Sequence, residues 1–364
     1  MYLLKSTALK TGVYNYFIVK FMMSTSVKSK LWGLLAVVLC VALAPLAHAQ
    51  LRRGENKAVT YEQYYDDPDN INTLFVMFQP AYGELFVGNV NLGFGMEVQY
   101  HMKKDKKFDF RAHARKVYSR KFDFERDVAE KNSTLDNLPN IFNYFEGGIT
   151  YRVKDFTESG TTRLILISKS RRKKWAALVP QHIVVPAQVR KIYGARLGGF
   201  AYTTTTDLDR LIEEDGVVLA DSLGNMLATS NDQSLFLNLQ AQGVYVGASL
   251  SIIRNIAVKP DRNYSPTVND LIWNAYFDVL IAPSISVDDP IQNGIPFSAE
   301  NVELSQIGAR LGMEGKFNRD LGWAYNAEIG MRPSVTGRSF YALVKVSFPV
   351  YSSEQNYEKE AFSR

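Results

Sequence analysis

The charged residues that could act together in this chain are Glu97, Asp109, Arg111, Arg115, Glu146, Arg152, Arg196, Asp278, Arg310, Glu314, Lys316, Glu328, Arg332 and Lys345, because each lies one residue away from an apolar neighbour on either side or nearly so. Facing a common polar interior, guanidinium and carboxylate groups would pair in the forked geometry that only arginine offers. Such a set has two uses. It locks an interior shut as a structural network, or it lines a narrow pore and sets which ions pass. The near-equal number of the two signs argues against a strong anion or cation preference. The pentapeptide G-A-R-L-G occurs twice, at 194–198 and 308–312, and both copies set an arginine between two glycines. That spacing leaves room for a guanidinium to reach a carboxylate on a facing wall.

Other chemistry finds little support. His101 and His113 share one parity and would be the pair to hold a metal or move a proton. Polar filling is the simpler expectation for both, and for His182. No inward serine stands beside either histidine as a hydrolase would need. No P-loop, G-x-G-x-x-G, H-E-x-x-H or G-x-S-x-G pattern is present. The sequence therefore assigns no catalytic, cofactor or metal residue. Two exposed charge blocks remain. The run Lys169 to Trp175 contains Arg171, Arg172, Lys173 and Lys174 beside the indole of Trp175, a candidate contact for lipopolysaccharide phosphates. The acidic block Asp207, Asp209, Glu213, Glu214 and Asp215 lacks calcium-loop spacing and reads as solvated.

The elements that must position these charges are strands. From Val90 to Met102 the even positions are apolar and the odd ones polar or glycine, and Ile307–Phe317, Leu321–Arg332, Leu271–Val287 and Phe340–Val350 repeat the alternation. The segments are long for soluble strands, of which about 5 or 6 residues is typical. Aromatics gather toward segment ends at Tyr82, Tyr100, Tyr118, Tyr144, Tyr151, Tyr193, Tyr202, Trp273, Trp323, Phe348 and Tyr351, the placement of amphipathic rings at a membrane interface.

In this pattern the chain resembles the porin-like bacterial outer-membrane β-barrels over nearly all of residues 71–351. The resemblance implies an all-β, antiparallel transmembrane barrel. The expected strands are 72–82, 89–102, 107–119, 144–156, 161–168, 175–187, 190–205, 235–254, 270–287, 306–318, 321–333 and 339–351, about twelve, with ten to fourteen consistent with the pattern. With the N-terminus inside, this puts segments 120–143, 206–234 and 288–305 outside and the N-R-D turn at 318–320 inside. In 235–254 the apolar residues change parity near Gly243, which suggests a β-bulge there.

Residues 27–49 carry the marks of an export signal: Lys28 and Lys30, the apolar run Leu31–Leu46, and Ala47-His48-Ala49 as a cleavage site before Gln50. Residues 1–49 hold five lysines and no acid, so removing them takes the formal charge of +5 to zero. The basic pI thus gives no case for nucleic-acid binding. Cys40, the single cysteine, goes with the leader. Residues 50–70 read as a periplasmic lead-in and 352–364 as a polar tail that departs from the terminal aromatic usual in such barrels. The expected function is a non-enzymatic outer-membrane barrel, either a porin-like channel or a structural or accessory barrel of an envelope or secretion assembly. Its partners would be outer-membrane lipid and, during biogenesis, the barrel-insertion machinery. A barrel enzyme acting on lipid or surface polymer, and a secreted soluble β-protein or adhesin, are the competing readings.

Overall fold

The computed structural model describes residues 59–86, 89–103, 105–119, 124–166, 182–228, 234–261, 264–318 and 322–353. The leader, the basic run including Arg171–Trp175, and the tail from 354 onward lie outside the described residues.

In chain order the strands are β1 (Tyr61–Asp66), β2 (Leu74–Phe86), β3 (Asn89–His101), β4 (Phe108–Val117), β5 (Asn143–Ile165), β6 (His182–Asp207), β7 (Phe236–Ile253), β8 (Ile256–Pro260), β9 (Thr267–Asn269), β10 (Leu271–Val287), β11 (Ile291–Gln292), β12 (Ile295–Pro296), β13 (Leu304–Ser305), β14 (Ile307–Phe317), β15 (Ala324–Met331), β16 (Ser334–Val335) and β17 (Phe340–Ser352). Among the described residues two helices, α1 (Phe124–Asn132) and α2 (Leu208–Asp215), lie in connections. Ten strands close an antiparallel barrel in the order β10-β14-β15-β17-β2-β3-β4-β5-β6-β7, with β7 paired back to β10.

The count of twelve is corrected to ten. The segments 144–156 and 161–168 are one strand, β5, and 175–187 and 190–205 fall on β6 and the residues before it. The stretch Thr157-Glu158-Ser159-Gly160 has the composition of a turn but pairs in register with Arg190 to Ala187. Pro186, which counted against a strand, faces Thr161 at a position where its missing N–H costs no ladder bond. Merging two pairs keeps the strand number even. The connections 118–142, 208–235 and 288–306 consequently all emerge at one end, the loop end. The β14–β15 turn and both ends of the described chain lie at the other, here the terminus end.

The polarity of the barrel is inverted relative to a soluble domain. Each of the ten barrel strands, or the residue next to it, turns a large apolar side chain outward: Phe78, Met96, Phe110, Phe145, Leu197, Val246, Phe277, Leu311, Met331 and Val350 are all exposed. At the terminus end this belt finishes in aromatics, among them Tyr100, Phe108, Tyr151, Tyr193, Trp323 and Tyr351, with Phe108 and Tyr151 in ring contact at 5.3 Å. Inside, arginines, carboxylates and tyrosines are buried.

The parity change in β7 has a different cause from the bulge expected at Gly243. Against β6, β7 runs in unbroken register from Phe236 to Ile253. The extra residue is on β10, where Ile281 and Ser284 face Val244 and Gln242. Odd residues of β7 point inward throughout. Leu237, Leu239 and Ala241 are apolar because the interior there is a hydrophobic core, and Val244 and Val246 are apolar because the exterior there is the exposed belt. Level with the upper residues, the outward side chains turn polar: Gln240 and Gln242 on β7, Ser284 and Ser286 on β10.

That core is built by the loop-end connections. α2 begins at Asp207, whose carboxylate accepts the Arg210 N–H, and stops at Gly216, which supplies the left-handed φ of 68°. Its buried Leu208 and Leu211 join Leu219, Leu227, Leu235, Phe297, Val302 and Val335 in one cluster with Phe86, Phe142 and Tyr341 of the barrel. β11 and β12 form one short hairpin within this cap, and β13 pairs with β16. At the terminus end β1, β8 and β9 form a three-stranded sheet. It packs against the part of β5 and β6 that projects past the barrel, through Leu164, Val185, Ala187, Ile256 and Val258.

Candidate functional site

Every residue expected in the charge network faces the lumen, and the structure sorts them into connected groups. Arg310 reaches from β14 to β5, where its Nη1 and Nη2 donate to the two Glu146 oxygens at 2.5 and 2.7 Å. Its Nε donates to Asp278 at 2.8 Å. Arg196, the arginine of the other G-A-R-L-G copy, approaches the second Asp278 oxygen at 3.2 Å. The two copies thus share a carboxylate. Arg196, Gly247, Asp278 and Arg310 are consecutive cross-strand partners on β6, β7, β10 and β14. Only glycine fits at 247, since a Cβ there would lie 2.1 Å from Asp278 Oδ1. Glu328 accepts the hydroxyls of Tyr276 at 2.6 Å and Tyr341 at 2.5 Å, and lies 3.8 Å from Arg310.

A second group spans the full width. Arg111 on β4 contacts Glu97 at 2.8 Å and Glu314 of β14 at 2.9 Å. Those two strands stand five apart whichever way round the ten-strand ring is followed. Lys345 reaches Glu97 at 2.7 Å. Lys316 donates to Gln99 and lies 2.7 Å from His101 Nε2.

Toward the loop end Glu84 accepts from Arg332 at 2.9 and 2.7 Å, from Arg115 at 3.2 Å and from Asn91 at 3.1 Å. Arg332 also stacks its guanidinium 3.8 Å from the Tyr341 ring centroid, and Arg115 lies 4.4 Å from that of Tyr144. Toward the terminus end Asp109 takes Arg152 at 2.9 and 2.5 Å, and Arg152 donates further to the carbonyls of Met102 and Lys106.

Glu84 was not legible as a lumen group. β2 carries an extra residue at Pro80–Ala81, so its inward set changes from Phe75, Met77 and Gln79 to Tyr82, Glu84 and Phe86. A proline followed by reversed parity was the available signal. Tyr82, Tyr144 and Tyr202, expected at an interface, are buried inside instead, with Tyr144 donating its hydroxyl to Glu146 at 2.6 Å. His101 and His113 do not form a joint site. His101 belongs with Lys316 and Asp109, and His113 stacks on Tyr144 at 5.3 Å, 3.9 Å from Glu146. Among the described residues no group of three or more His, Cys, Asp or Glu is arranged to hold a metal ion.

A pocket with about 70 Å³ open to the centres of water molecules lies in the lumen toward the terminus end, bordered by Gln99, His101, Ser249, Ser251, Asn274 and Lys316. Its lining is mixed, with Met77, Phe110 and Ile272 beside the polar groups, and it has room for several waters. Above it the crossing ion pairs and then the apolar cap fill the barrel. The arrangement can therefore brace the wall and exclude solutes.

No family model matches the chain, and no curated protein matches it. Among solved structures, a mutant of TodX described as a monoaromatic hydrocarbon channel is similar at 9% identity, covering 78% of this chain and 91% of that one with a TM-score of 0.19. OmpT, an outer membrane protein of Vibrio cholerae, is similar at 7% identity, covering 79% and 99% with a TM-score of 0.16. Scores this low bear on neither the fold nor the role of this chain. What is established is an antiparallel, closed, ten-stranded barrel with a charged interior.

Proposed function

We propose that this chain is a non-enzymatic outer-membrane β-barrel whose lumen is closed, and that it serves as a structural or accessory barrel of an envelope or secretion assembly. The observation that carries the closed reading is the crossing of the lumen by Arg111 to Glu314 and by Arg310 to Glu146. A solute would have to displace buried, paired charges at two levels, each costly to leave unpaired. The membrane reading is supported by the exposed apolar belt. Soluble proteins rarely leave more than a few hundred Å² of contiguous apolar surface bare, whereas this belt includes every barrel strand. Between outward Thr203 and outward Tyr193 on β6 the belt measures roughly 25 Å in height at usual strand rise and tilt, the span of a hydrocarbon layer. The terminus end then faces the periplasm, and the export signal with cleavage before Gln50 belongs to the same proposal.

Fractionation with heat-modifiable gel mobility tests the membrane part: release by salt or alkali alone would defeat it. Planar-bilayer recording tests the closed lumen. Silence is expected, and a steady ohmic step per insertion would overturn it in favour of a porin-like channel. N-terminal sequencing of the exported protein should begin at Gln50.

A further inference from the structure

Beyond the barrel wall, β5 and β6 continue as a two-stranded arm, and the two long edges of this arm are not alike. β4 pairs with β5 only as far as Tyr151, and β7 pairs with β6 only as far as Arg190. Past those points each strand has the other as its single ladder neighbour among the described residues. The register and two hydrogen bonds fix which backbone groups point away. The Gln188 N–H donates to the Asp66 carboxylate at 3.0 Å, so Gln188 and its partner Ser159 form a pair whose N–H and C=O groups face outward. The Thr267 hydroxyl donates to the Ile165 carbonyl at 3.2 Å, which gives the same phase. On β5 the outward-facing backbone groups therefore belong to Asp155, Thr157, Ser159, Thr161 and Arg163.

The edge of β6 is closed. Pro186 has no N–H to offer there, and Asp66 occupies that of Gln188. Among the described residues the edge of β5 from 155 to 163 has neither device. It presents an unbroken, proline-free row of donors and acceptors from 155 to 163 beside a sheet that is already rigid. The arm is pinned at its base by Arg190, which donates to Asp155 at 2.7 Å, and along its length by Asn269, which donates to the Thr162 hydroxyl at 2.7 Å. Soluble edges of this length are ordinarily blunted, and here the blunting on β5 is confined to its end, where the Thr267 hydroxyl takes the Ile165 carbonyl.

We propose that the β5 edge, residues 155–163, receives an added strand from another envelope polypeptide at the periplasmic side. The proposal rests on the membrane reading above for its compartment. The segment it takes is extended, free of proline, and carries a carboxylate opposite Arg163, which is exposed.

The test uses the full-length protein in its own membrane with the photo-crosslinker p-benzoylphenylalanine at Ser159. Thr161→Pro removes an outward N–H at the position facing Pro186, so the hairpin itself is preserved; Val184→Pro does the same on the opposite edge. A heterologous adduct is expected that falls about tenfold with Thr161→Pro and stays within about twofold with Val184→Pro. Arg163→Glu should lower it as well. In the purified protein in detergent, amide exchange should be fast at 157, 159, 161 and 163 and slow at 158, 160 and 162. An adduct that is a second copy, an adduct indifferent to Thr161→Pro, the absence of any adduct, or slow exchange at the odd positions would each overturn the proposal. Retained heat-modifiable mobility in every variant shows that the barrel has folded, and its loss in the wild type would instead defeat the membrane reading alone.

Discussion

Arg111 and Glu314 stand on opposite walls of the barrel, and their side chains meet at 2.9 Å in the middle of it. A bond of this kind connects strands that share no ladder. It also takes up the space that a channel of this circumference would need.

Removing one member of the crossing set should cost more than removing a matched pair. Arg310→Met leaves Glu146 and Asp278 without their main partner in a buried setting. The expected loss is about 3–5 kcal/mol, read as the urea midpoint of the folded, heat-modifiable band, with Arg310→Met/Glu146→Gln recovering part of it.

Opening the lumen requires more than one change. Arg111→Ala combined with Arg310→Ala removes the Glu314 and Glu146 crossings while leaving Lys316 on Gln99 and the apolar cap, so bilayer recordings of that double variant should stay near silent. Conductance is expected only when residues 208–228 are also deleted. A large steady current from the double variant alone would show that the cap does not seal the loop end.

Gly247→Ala places a Cβ 2.1 Å from Asp278 Oδ1 and 2.2 Å from the Phe277 carbonyl oxygen. Backbone cannot withdraw from such a contact without disturbing the β7–β10 ladder. A destabilisation of about 1–3 kcal/mol is expected in the same urea titration.

The apolar belt can be probed by charge. Leu311→Arg, on the outward face of β14, should cost about 2–4 kcal/mol if hydrocarbon surrounds it. Ser286→Arg, beyond the polar turnover of β10, should be within about 1 kcal/mol of wild type. Equal costs at the two positions would argue against a bilayer around the belt.

At the loop end, burial together with the nearby Asp207 and Glu213 pushes the Asp209 carboxyl up to about 6, against the Leu235 N–H that donates to it and favours its charge. A carboxyl raised on folding contributes most when protonated. Its share of stability is full below the unfolded value near 4 and is lost as pH rises through 6. Proteolytic protection of 208–228 should therefore increase from pH 7.5 to pH 4.5, and Asp209→Asn should remove that dependence while its amide oxygen still accepts from Leu235.

The alternation made the barrel and the parity of its lumen legible, because one face of each strand meets charge and the other does not. The strand number was not. Thr157 to Gly160 has turn composition, and only the pairing with β6 reveals that the chain stays extended there. Tyr144 and Tyr202 read as interface residues because a tyrosine suits either an interface or a polar interior, and the hydroxyl partners Glu146 and the Pro333 carbonyl come from other strands. Glu84 was hidden by the extra residue in β2, a one-residue insertion that reverses every following side chain.

The change of apolar face along β7 has a mechanical consequence. The backbone passes Gly243 in register, so nothing in the hydrogen bonding prefers one height in the bilayer to another. The preference comes from side chains. Sinking the barrel by one residue pair would drag Gln242 and Ser284 into hydrocarbon, and raising it would lift Val244 and Ile281 into water. In the bilayer proposed above the barrel would therefore have a detent, a single depth of immersion, and that depth would fix how far the β5–β6 arm hangs into the space beneath.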